Sequence, residues 1–310
     1  MRPHRYNKKA APTRAVAQTA ETDPSAVERG SARDVDSRAY AFAYLATDPS
    51  QLPADFPVDE GFERALFLPK EIVPRFETPR YVPRLLLEGQ DRVTVYSHPR
   101  CGAGKTTIRF ADISHIELER FLADCSLIIF TPGRTVHLPF HGRDREYVVT
   151  FLERLKRRLL SGGPQLNSTA QQQDFGPRPD YKFQQIEAML NLDQASVVAR
   201  FFVPPKEVIK SRLFRNELSW TFGSAIVATR TELHIFSDDN DGYRQLYGFR
   251  ASWAPLQKIT DIKWESALES ITIRLLGDLS LRVPVPEELR SEAEEFADFA
   301  SRQILNRRTT

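Results

Sequence analysis

Two stretches of this 310-residue chain share one pattern, although they lie far apart in the sequence. Residues 253–263 read WAPLQKITDIK, and residues 109–117 read RFADISHIE. In both, an aromatic residue leads into alternating polar and apolar residues, which is the period of a half-buried β-strand. Ile116 in the first stretch corresponds to Ile262 in the second. A chain that repeats a strand in this way is expected to contain two related β-rich units.

Further matches extend the repeat in both directions. Residues 68–73 (LPKEIV) correspond to residues 203–209 (VPPKEVI), and Gly133 corresponds to Gly277. The second copy is longer, and residues 224–253 hold its longer hairpin region. Each copy ends in a segment with apolar residues at helical spacing, which predicts a closing amphipathic helix. The apolar positions are Val148, Phe151, Leu152, Leu155 and Leu159 in the first copy and Leu289, Ala293, Phe296, Ala300 and Ile304 in the second.

Changes in composition set the expected boundaries of the units. Residues 1–56 carry charge, Ala, Ser and Thr with little apolar periodicity, so we expect a largely disordered tail. The first unit is expected at residues 57–160. A flexible linker at residues 161–180 begins with an uncharged run rich in Gly and Gln. The second unit follows at residues 181–306, and residues 307–310 form a short tail.

Turn residues between extended runs predict the strands within the units. Residues 85–96 are expected to form a hairpin and residues 108–119 a strand. Residues 132–133 (PG) are expected to form a turn between two paired strands. The sequence also predicts a short helix at residues 38–46 and a longer one at residues 183–199.

Six or seven short antiparallel strands followed by one amphipathic helix resemble the pleckstrin-homology-like (PH-like) barrel. Residues 228–236 (ATRTELHIF) and 253–262 (WAPLQKITDI) are similar to the bacterial PH-like pattern of a T-x-x-R-L-x-x strand followed by an I-P-x-x-K-I-x-x-V strand. The first unit matches less well, since residues 108–117 stand for the second element and no Thr-x-x-Arg strand precedes them. The resemblance implies an α+β, mainly β fold of two antiparallel barrels, each closed by a C-terminal helix. It also implies a binding or assembly module without catalysis.

The net charge of +2 conceals a division between the two units. Residues 57–160 carry 17 basic and 14 acidic residues, whereas residues 181–306 carry 15 basic and 18 acidic residues. The closing segments differ more strongly: residues 144–160 hold five basic and three acidic residues, and residues 287–302 hold two basic and six acidic residues. Opposite charges steer surfaces together. We therefore expect a protein partner or self-association.

The sequence also limits the cellular setting. No apolar run reaches the roughly 18 residues needed for a transmembrane helix. The basic first twenty residues are not followed by the apolar core of a signal peptide. Cys101 and Cys125 lack close-spaced partners, so we expect reduced thiols in a cytoplasmic protein.

The hairpin tip of the first unit is the first candidate site. Residues 102–107 (GAGKTT) end like a phosphate-binding loop, which would make Lys105 a nucleotide ligand. The full pattern requires a glycine where Pro99 stands and a helix where a strand is expected, so a mobile hairpin tip is the plainer interpretation. His98, Arg100 and Lys105 make this tip basic. The PH-like resemblance implies that such a tip can bind an anionic lipid headgroup.

The corresponding tip of the second unit has the opposite charge. Asp238, Asp239 and Asp241 make it acidic, so it would repel a phosphate and suggests calcium instead. A calcium loop with Gly242 at its sixth position would end on Gly248, where a glutamate is required. A β-turn is the sounder interpretation.

Basic residues on the first closing helix suggest nucleic acid. Arg154, Arg157 and Arg158, with Lys156 between them, form a basic run, but the excess of positive charge in the unit is small for phosphate-backbone binding. We therefore do not expect nucleic-acid binding, and solubility and compensation of the helix dipole explain the run.

Metal and catalytic arrangements are also weak. His137 and His141, taken with Cys101 and Cys125, lack the spacing of a structural zinc site. No cofactor motif and no catalytic triad stands out, so no cofactor is expected. The first hypothesis is a non-enzymatic binding or scaffold protein. The alternatives are a peripheral membrane module that binds anionic lipid through its first unit and a nucleotide-binding protein that uses the Gly-Lys-Thr loop.

Overall fold

The structure is a computed structural model that describes most of the chain between Ala43 and Leu305. The described residues are 43–54, 56, 58, 61–69, 71–72, 79–81, 83–97, 104–121, 124–161, 172–190, 192, 194–212, 215–221, 223–238 and 248–305. Only the backbone is described for residues 71–72, 79–81, 121, 206–212, 215–221 and 304–305. All of these residues belong to one compact unit.

The described residues form twenty β-strands and three α-helices, so the fold is mainly β, as predicted. The strands of the N-terminal part are β1 (Tyr44–Ala46), β2 (Arg64–Leu68), β3 (Glu71–Ile72), β4 (Pro79–Tyr81), β5 (Arg84–Glu88), β6 (Arg92–Ser97), β7 (Lys105–Arg109), β8 (His115–Phe121), β9 (Asp124–Thr131), β10 (Arg134–His141) and β11 (Gln173–Phe175). The strands of the C-terminal part are β12 (Val197–Val203), β13 (Lys206–Arg212), β14 (Arg215–Thr221), β15 (Ser224–Thr229), β16 (Glu232–Asp238), β17 (Gly248–Pro255), β18 (Ile259–Glu265), β19 (Ser270–Leu275) and β20 (Ser280–Pro284). The helices are α1 (Arg145–Leu160), α2 (Tyr181–Met189) and α3 (Arg290–Leu305).

The strands are arranged in three larger sheets and two separate hairpins. One sheet has the order β1-β2-β5-β6-β7, a second has the order β10-β9-β8-β17-β16-β15-β12-β11, and a third has the order β18-β19-β20. The hairpins are β3-β4 and β13-β14. Neighbouring strands are antiparallel except β11, which is parallel to β12. No sheet among the described strands closes on itself, so the two closed barrels stay a prediction.

The order of elements in residues 64–160, here called the first half, matches the order in residues 197–305, the second half. In each, a strand runs into a separate hairpin, and three further strands lead to a 3₁₀ turn. Three more strands, another 3₁₀ turn and a 16-residue helix then follow. The second half adds one short 3₁₀ turn, Ser266–Leu268, between β18 and β19.

Three groups of buried side chains hold these elements together. The first lies between α1, α2 and the two larger sheets, and it contains Phe151, Phe183 and Trp253. The second lies beneath α3 and contains Phe201, Ile262 and Phe296. The third covers the other face of the five-stranded sheet, with Phe56, Phe67 and Tyr96. The first group takes residues from both halves, so the halves share a core.

The predicted strand at residues 108–119 is interrupted. A 3₁₀ turn at Phe110–Asp112 separates β7 from β8, and the Ile113 N–H donates to the Phe110 carbonyl at 3.2 Å. Residues 253–263 are interrupted in the same manner by a 3₁₀ turn at Leu256–Lys258. Alternation of polar and apolar residues continues across both turns, which is why the sequence pattern shows one strand. The turn lets the chain leave one sheet and enter another.

The two minor helix predictions are also corrected. The helix predicted at residues 183–199 ends at Met189, and β12 begins at Val197. The β-branched and aromatic residues of β12 favour a strand over a helix. The described part of residues 38–46 contains β1 where a short helix was predicted. The predicted hairpin at residues 85–96 and the turn at residues 132–133 are confirmed.

Parts of the predicted tail and linker contribute to the sheets. Strand β1 pairs with β2, and Phe56 packs in the third core group, although both lie before residue 57. Strand β11 pairs with β12 and lies within the predicted linker of residues 161–180. Residues 162–171 of that linker lie outside the described residues.

Candidate functional site

Among the described strands, β8 and β17 join the two halves, and we call this pair the seam. The pairing is antiparallel, from Ile116 opposite Trp253 to Phe121 opposite Gly248. Alternation in both strands puts Ile116, Leu118 and Trp253 on one face, where they pack in the first core group. The seam therefore makes one continuous sheet from strands of both halves.

The opposite face of the seam carries a polar network. The Ser252 hydroxyl donates to Glu117 Oε1 at 3.0 Å, and Arg250 Nη2 lies 2.6 Å from Glu119 Oε1. Burial raises the pKa of Glu117, an effect that the Arg250 charge and the Ser252 hydrogen bond oppose. Each of these contacts joins a residue of the first half to a residue of the second, so the network stabilises the seam.

His115 lies at the start of the same face. Its ring stacks on Phe130 with centroids 4.1 Å apart, and its Nδ1 lies 3.1 Å from the Ser114 hydroxyl. Its Nε2 lies 3.8 Å from Glu117 Oε1. Burial lowers the pKa of His115 to about 4, so the ring is neutral near pH 7.

The order Ser114, His115, Glu117 invites comparison with an acyl-transfer triad. The Ser114 hydroxyl, however, also lies 3.1 Å from the Phe130 carbonyl, to which it donates, and the residue is 2% exposed. A nucleophile needs room for a substrate beside it. These residues form a buried hydrogen-bonded group with a structural role in the seam.

The core face of the seam holds a second buried polar cluster. Trp253 Nε1 donates to the Glu232 carboxylate, and His234 Nε2 lies 2.8 Å from Glu232 Oε1. Lys156 of α1 is 5% exposed, and its ammonium lies 5.6 Å from the Trp253 ring centre and 3.1 Å from Glu153 Oε1. The cluster thus ties the closing helix of the first half to β16 and β17 of the second.

The charges of this cluster set its protonation. Burial would raise the pKa of Glu232, but the charges of His234 and Lys156 and the Trp253 hydrogen bond lower it to about 2. Burial is the main cause of the lowered pKa of His234. Glu232 is therefore an ionised acceptor held by donors from two directions, which is how a buried carboxylate is tolerated.

A small crevice lies beside this cluster. Its lining includes Leu152, Lys156, Leu190, His234 and Trp253, and its volume is about 10 Å³. That is room for about one water molecule. A ligand pocket usually has a volume of several hundred Å³, so the crevice is a packing feature of the seam.

Contacts between turns extend the seam. Gln257 Nε2 donates to the Leu159 carbonyl at 2.9 Å, at the C-terminal end of α1. Lys258 Nζ donates to the Ala111 carbonyl in the first 3₁₀ turn. A Cβ placed on Gly277 would lie 2.5 Å from Pro132 Cγ, so the β19-β20 and β9-β10 turns meet closely. The halves are fixed to one another at several separated points.

Comparisons with protein-family models, curated proteins and solved structures found no match.

The basic tip predicted for the first half is only partly described. His98 and Arg100 lie outside the described residues. Lys105 begins β7, is exposed, and places its ammonium 5.6 Å from the Tyr96 ring centre. Strand β7 follows directly, and the helix that a phosphate-binding loop requires is absent from residues 105–121.

The acidic tip predicted for the second half begins with a paired carboxylate. Asp238 ends β16, accepts the Gly223 N–H at 3.0 Å and forms an ion pair with Lys182 of α2. Burial raises the pKa of Asp238, and the Lys182 contact opposes that shift. Asp239 and Asp241 lie outside the described residues.

The basic run on α1 is largely engaged inside the chain. Arg154 lies 2.8 Å from Glu63 and donates from Nε to Glu88 Oε1 at 3.0 Å. Arg158 contacts the same two carboxylates, and Glu88 is 0% exposed. Arg157 is exposed, and its Nε donates to the Glu153 carbonyl at 3.4 Å. Arg154 and Arg158 therefore anchor α1 to the end of β5 and to the residue before β2.

The weaker candidates can be located in the same way. His137 lies 2.9 Å from the Ser126 hydroxyl, His141 Nδ1 accepts the Arg143 N–H at 3.1 Å, and Cys125 is buried. Cys101 lies outside the described residues. Within the described part of the chain, no three His, Cys, Asp or Glu side chains are grouped as metal ligands. Among the described helices, none has the length and apolar character to span a membrane.

The sequence interpretation missed the residues of the seam. Lys156 was counted with the basic run, although it follows Leu152 by four residues and so lies on the apolar face of α1. That spacing was an available signal of burial. No comparable signal in the sequence pairs His234 or Glu232 with a residue of the first half.

Proposed function

We propose that this chain is a non-enzymatic binding or scaffold protein built from two PH-like units, and that its partners are proteins. The matching order of strands, turns and closing helix in the two halves supports the two units. The residue pattern at 228–236 and 253–262 supports the PH-like assignment.

The seam is the observation that carries the proposal. Polar contacts on one face and the Lys156–Trp253–Glu232 cluster on the other hold the halves in one arrangement. A protein that fixes two binding units at one spacing can hold two partner segments at once, which strengthens binding through effective concentration. A rigid seam suits a scaffold better than two loosely tethered modules would.

The arrangement of charged residues favours protein partners over nucleic acids and anionic membranes. Two of the three basic candidates on α1 are engaged with Glu63 and Glu88. The remaining charge is divided, with an excess of basic residues in 57–160 and of acidic residues in 181–306. Surfaces of both signs suit protein partners, whereas a nucleic acid or an anionic membrane favours a single basic surface.

The test has two arms that use the full chain. In the first, tagged wild-type protein is recovered from extracts of its native host after nuclease and detergent treatment. In the second, the protein is sedimented with neutral phosphatidylcholine vesicles and with vesicles that contain anionic lipid. We expect a defined host protein at constant stoichiometry in the first arm and equal, low sedimentation in the second.

The alternatives give different results. Salt-dependent binding to anionic vesicles that is lost in Lys105→Glu, with no retained protein, would contradict the proposal and favour a membrane module. A rise in melting temperature with ATP or GTP would point to nucleotide binding instead.

A further inference from the structure

The seam joins two unlike strands. The first half contributes β8, the strand that follows its 3₁₀ turn, and the second half contributes β17, the strand that precedes its 3₁₀ turn. Because the two strands are not equivalent, each half also contains a counterpart of the strand that the other half contributes. The seam does not use these counterparts. The counterparts are β18, which follows the 3₁₀ turn of the second half, and β7, which precedes that of the first.

Both counterparts stand at the ends of their sheets. Strand β7 ends the five-stranded sheet and β18 ends the three-stranded sheet, and no described strand pairs with the outer edge of either. Edge strands of this kind accept another strand unless they are blocked. The chain therefore has, apart from the seam, one strand edge equivalent to that of β17 and one equivalent to that of β8.

In the seam, the second half receives β8 and α1 on a surface that extends beyond the edge of β17, and we call it the receiving surface. Lys156 of α1 places its ammonium 5.6 Å from the Trp253 ring centre, and its charge favours the ionised form of Glu232 on the adjacent strand β16. A helix bearing a cation thus lies on a strand pair bearing an anion. This contact shows what a receiving surface requires besides a free strand edge.

The 3₁₀ turns allow the corresponding positions in the first half to be located. Aligning Phe110–Asp112 with Leu256–Lys258 puts Thr107 at the position of Trp253. In the strand registers, Arg92 is opposite Arg109 as Glu232 is opposite Pro255. Arg92 therefore takes the place of Glu232, with the opposite charge.

The corresponding surface of the first half is basic and exposed. The side chains of Arg92, Lys105, Thr107 and Arg109 lie on one face of β6 and β7 and are exposed. Arg92 Nε lies 3.2 Å from Asp91 Oδ1 in an exposed ion pair. We call these four residues the basic face.

The end of the second half has the complementary charge. Helix α3 lies against β18, and residues 287–302 contain six acidic and two basic residues. Glu295 and Asp298 of this helix are exposed. We call these two residues the acidic face. Helix α3 and β18 thus hold the places of α1 and β8 in the seam, and the acidic excess of the α3 region contrasts with the basic excess of the α1 region.

We propose that β18 and α3 of one chain dock on β7 and the basic face of a second copy, repeating the seam between molecules. This inference rests on the proposed scaffold function and names a second copy of the chain as one of its partners. Because the two surfaces are unlike, each added copy presents a new basic face or a new acidic face. Association therefore proceeds head to tail and forms open chains or a closed ring.

Charge variants test the pairing of the two faces. The basic-face variant is Arg92→Glu with Arg109→Glu, the acidic-face variant is Glu295→Lys with Asp298→Lys, and Arg157→Glu on the exposed side of α1 is the matched control. Mass is measured by light scattering over a dilution series at low and high salt. Melting temperatures verify that each variant is folded.

The expected results are specific to a head-to-tail contact. Wild type and the Arg157→Glu control exceed the mass of one chain at low salt, and the mass falls as salt screens the charges. Each face variant alone stays at the mass of one chain. An equal mixture of the two variants gives species of at least two chains, since the unaltered basic face of one meets the unaltered acidic face of the other.

A backbone variant tests the strand edge separately. The Ser97 N–H donates to the Gly104 carbonyl, so the alternation of antiparallel bonds turns the Thr107 N–H away from β6. Thr107→Pro removes that outward donor and is tolerated at an edge strand. We expect it to lower the association constant by at least tenfold without changing the fold.

Several outcomes would overturn the inference. Wild type at the mass of one chain under all conditions, face variants that associate like wild type, or a mixture that stays monomeric would each contradict it. A monomeric chain that still retains a host protein contradicts this inference alone. A chain that binds anionic vesicles and retains no protein contradicts the proposed function itself.

Discussion

The closing helices α1 and α3 hold matching places in the two halves but bury different side chains. Phe151 of α1 and Phe296 of α3 correspond, and both are fully buried. One and four positions later, α1 buries Leu152 and Leu155, whereas α3 buries Ala297 and Ala300. Small residues let α3 lie directly against β18 and β12. Helix α1 instead contacts β1, β2 and the 3₁₀ turns at Phe110–Asp112 and Gly142–Asp144.

The difference follows from what each helix covers. Helix α1 packs in a core group that includes Phe236 and Trp253 of the second half, so it fills the space between two sheets. The described side chains of helix α3 pack in the core group of its own half, with Ile262 and Phe201. A closing helix that also joins two units needs larger side chains than one that closes a single unit.

The largest expected effect breaks the packing of α1. Leu155 is 0% exposed, and Leu155→Ala removes packing volume that the shared core cannot readily refill. We expect a loss of about 3 kcal/mol in the free energy of unfolding. Urea unfolding followed by tryptophan fluorescence measures it.

The matched substitution in α3 is Ala300→Leu. There, added volume would push the helix away from the sheet, so we expect a smaller loss of about 1–3 kcal/mol from overpacking. If neither Leu155→Ala nor Ala300→Leu changed the free energy of unfolding, the two helices would pack alike.

The sequence predicts the local structure within each half better than the pairing of the two halves. The hairpin at residues 85–96 and the buried face of α1 follow from periods of two and 3.6 residues, which are properties of neighbouring positions. The helix predicted to Ala199 fails because its last residues, Val197 and Val198, are β-branched and enter a strand. That correction was within reach of the sequence.

The seam was beyond the reach of pattern analysis. Alternation in residues 115–121 shows that one face is buried, but it does not show whether the adjacent strand is β7, β18 or β17. Ile116 and Trp253 lie far apart in the sequence, and the shared core determines that their strands pair. The same holds for Glu88, whose burial beside Arg154 and Arg158 depends on where α1 docks.

The matched turns at Gly133 and Gly277 differ in what surrounds them. Gly133 and Gly277 both adopt positive φ angles, of 84° and 80°. A Cβ at Gly133 meets no atom within 4 Å, whereas a Cβ at Gly277 would lie 2.5 Å from Pro132 Cγ. We expect Gly133→Ala to cost about 1 kcal/mol from backbone strain alone.

Gly277→Ala should cost about 2 kcal/mol, since it adds the clash with Pro132 to the same strain. Thermal or urea unfolding of the two variants gives the difference. Adding Pro132→Ala to Gly277→Ala should recover most of the excess. If the two glycine variants lose the same stability, the turns of the two halves do not touch in solution.

The third and smallest effect concerns pH at matching positions of β8 and β18. His115 in the seam corresponds to Asp261, which is only half buried. Burial lowers the pKa of His115 to about 4, below the value of 6.5 for an exposed histidine. The unfolded state therefore binds a proton more readily than the folded state. The stability due to neutral His115 is full above pH 6.5 and is lost as the pH falls towards 4.

We expect the free energy of unfolding to fall by about 1 kcal/mol per pH unit from this residue between pH 6.5 and 5, against a limit of about 1.4 kcal/mol per unit for one proton. His115→Gln cannot gain a proton, so its stability should change less steeply over this range than that of wild type. His234, whose pKa burial also lowers, remains in both proteins and leaves a residual slope. His137→Gln, at an exposed histidine, is the control and should keep the wild-type slope. An unchanged slope in His115→Gln would mean that water reaches this face of the seam, and the two halves would then be separable.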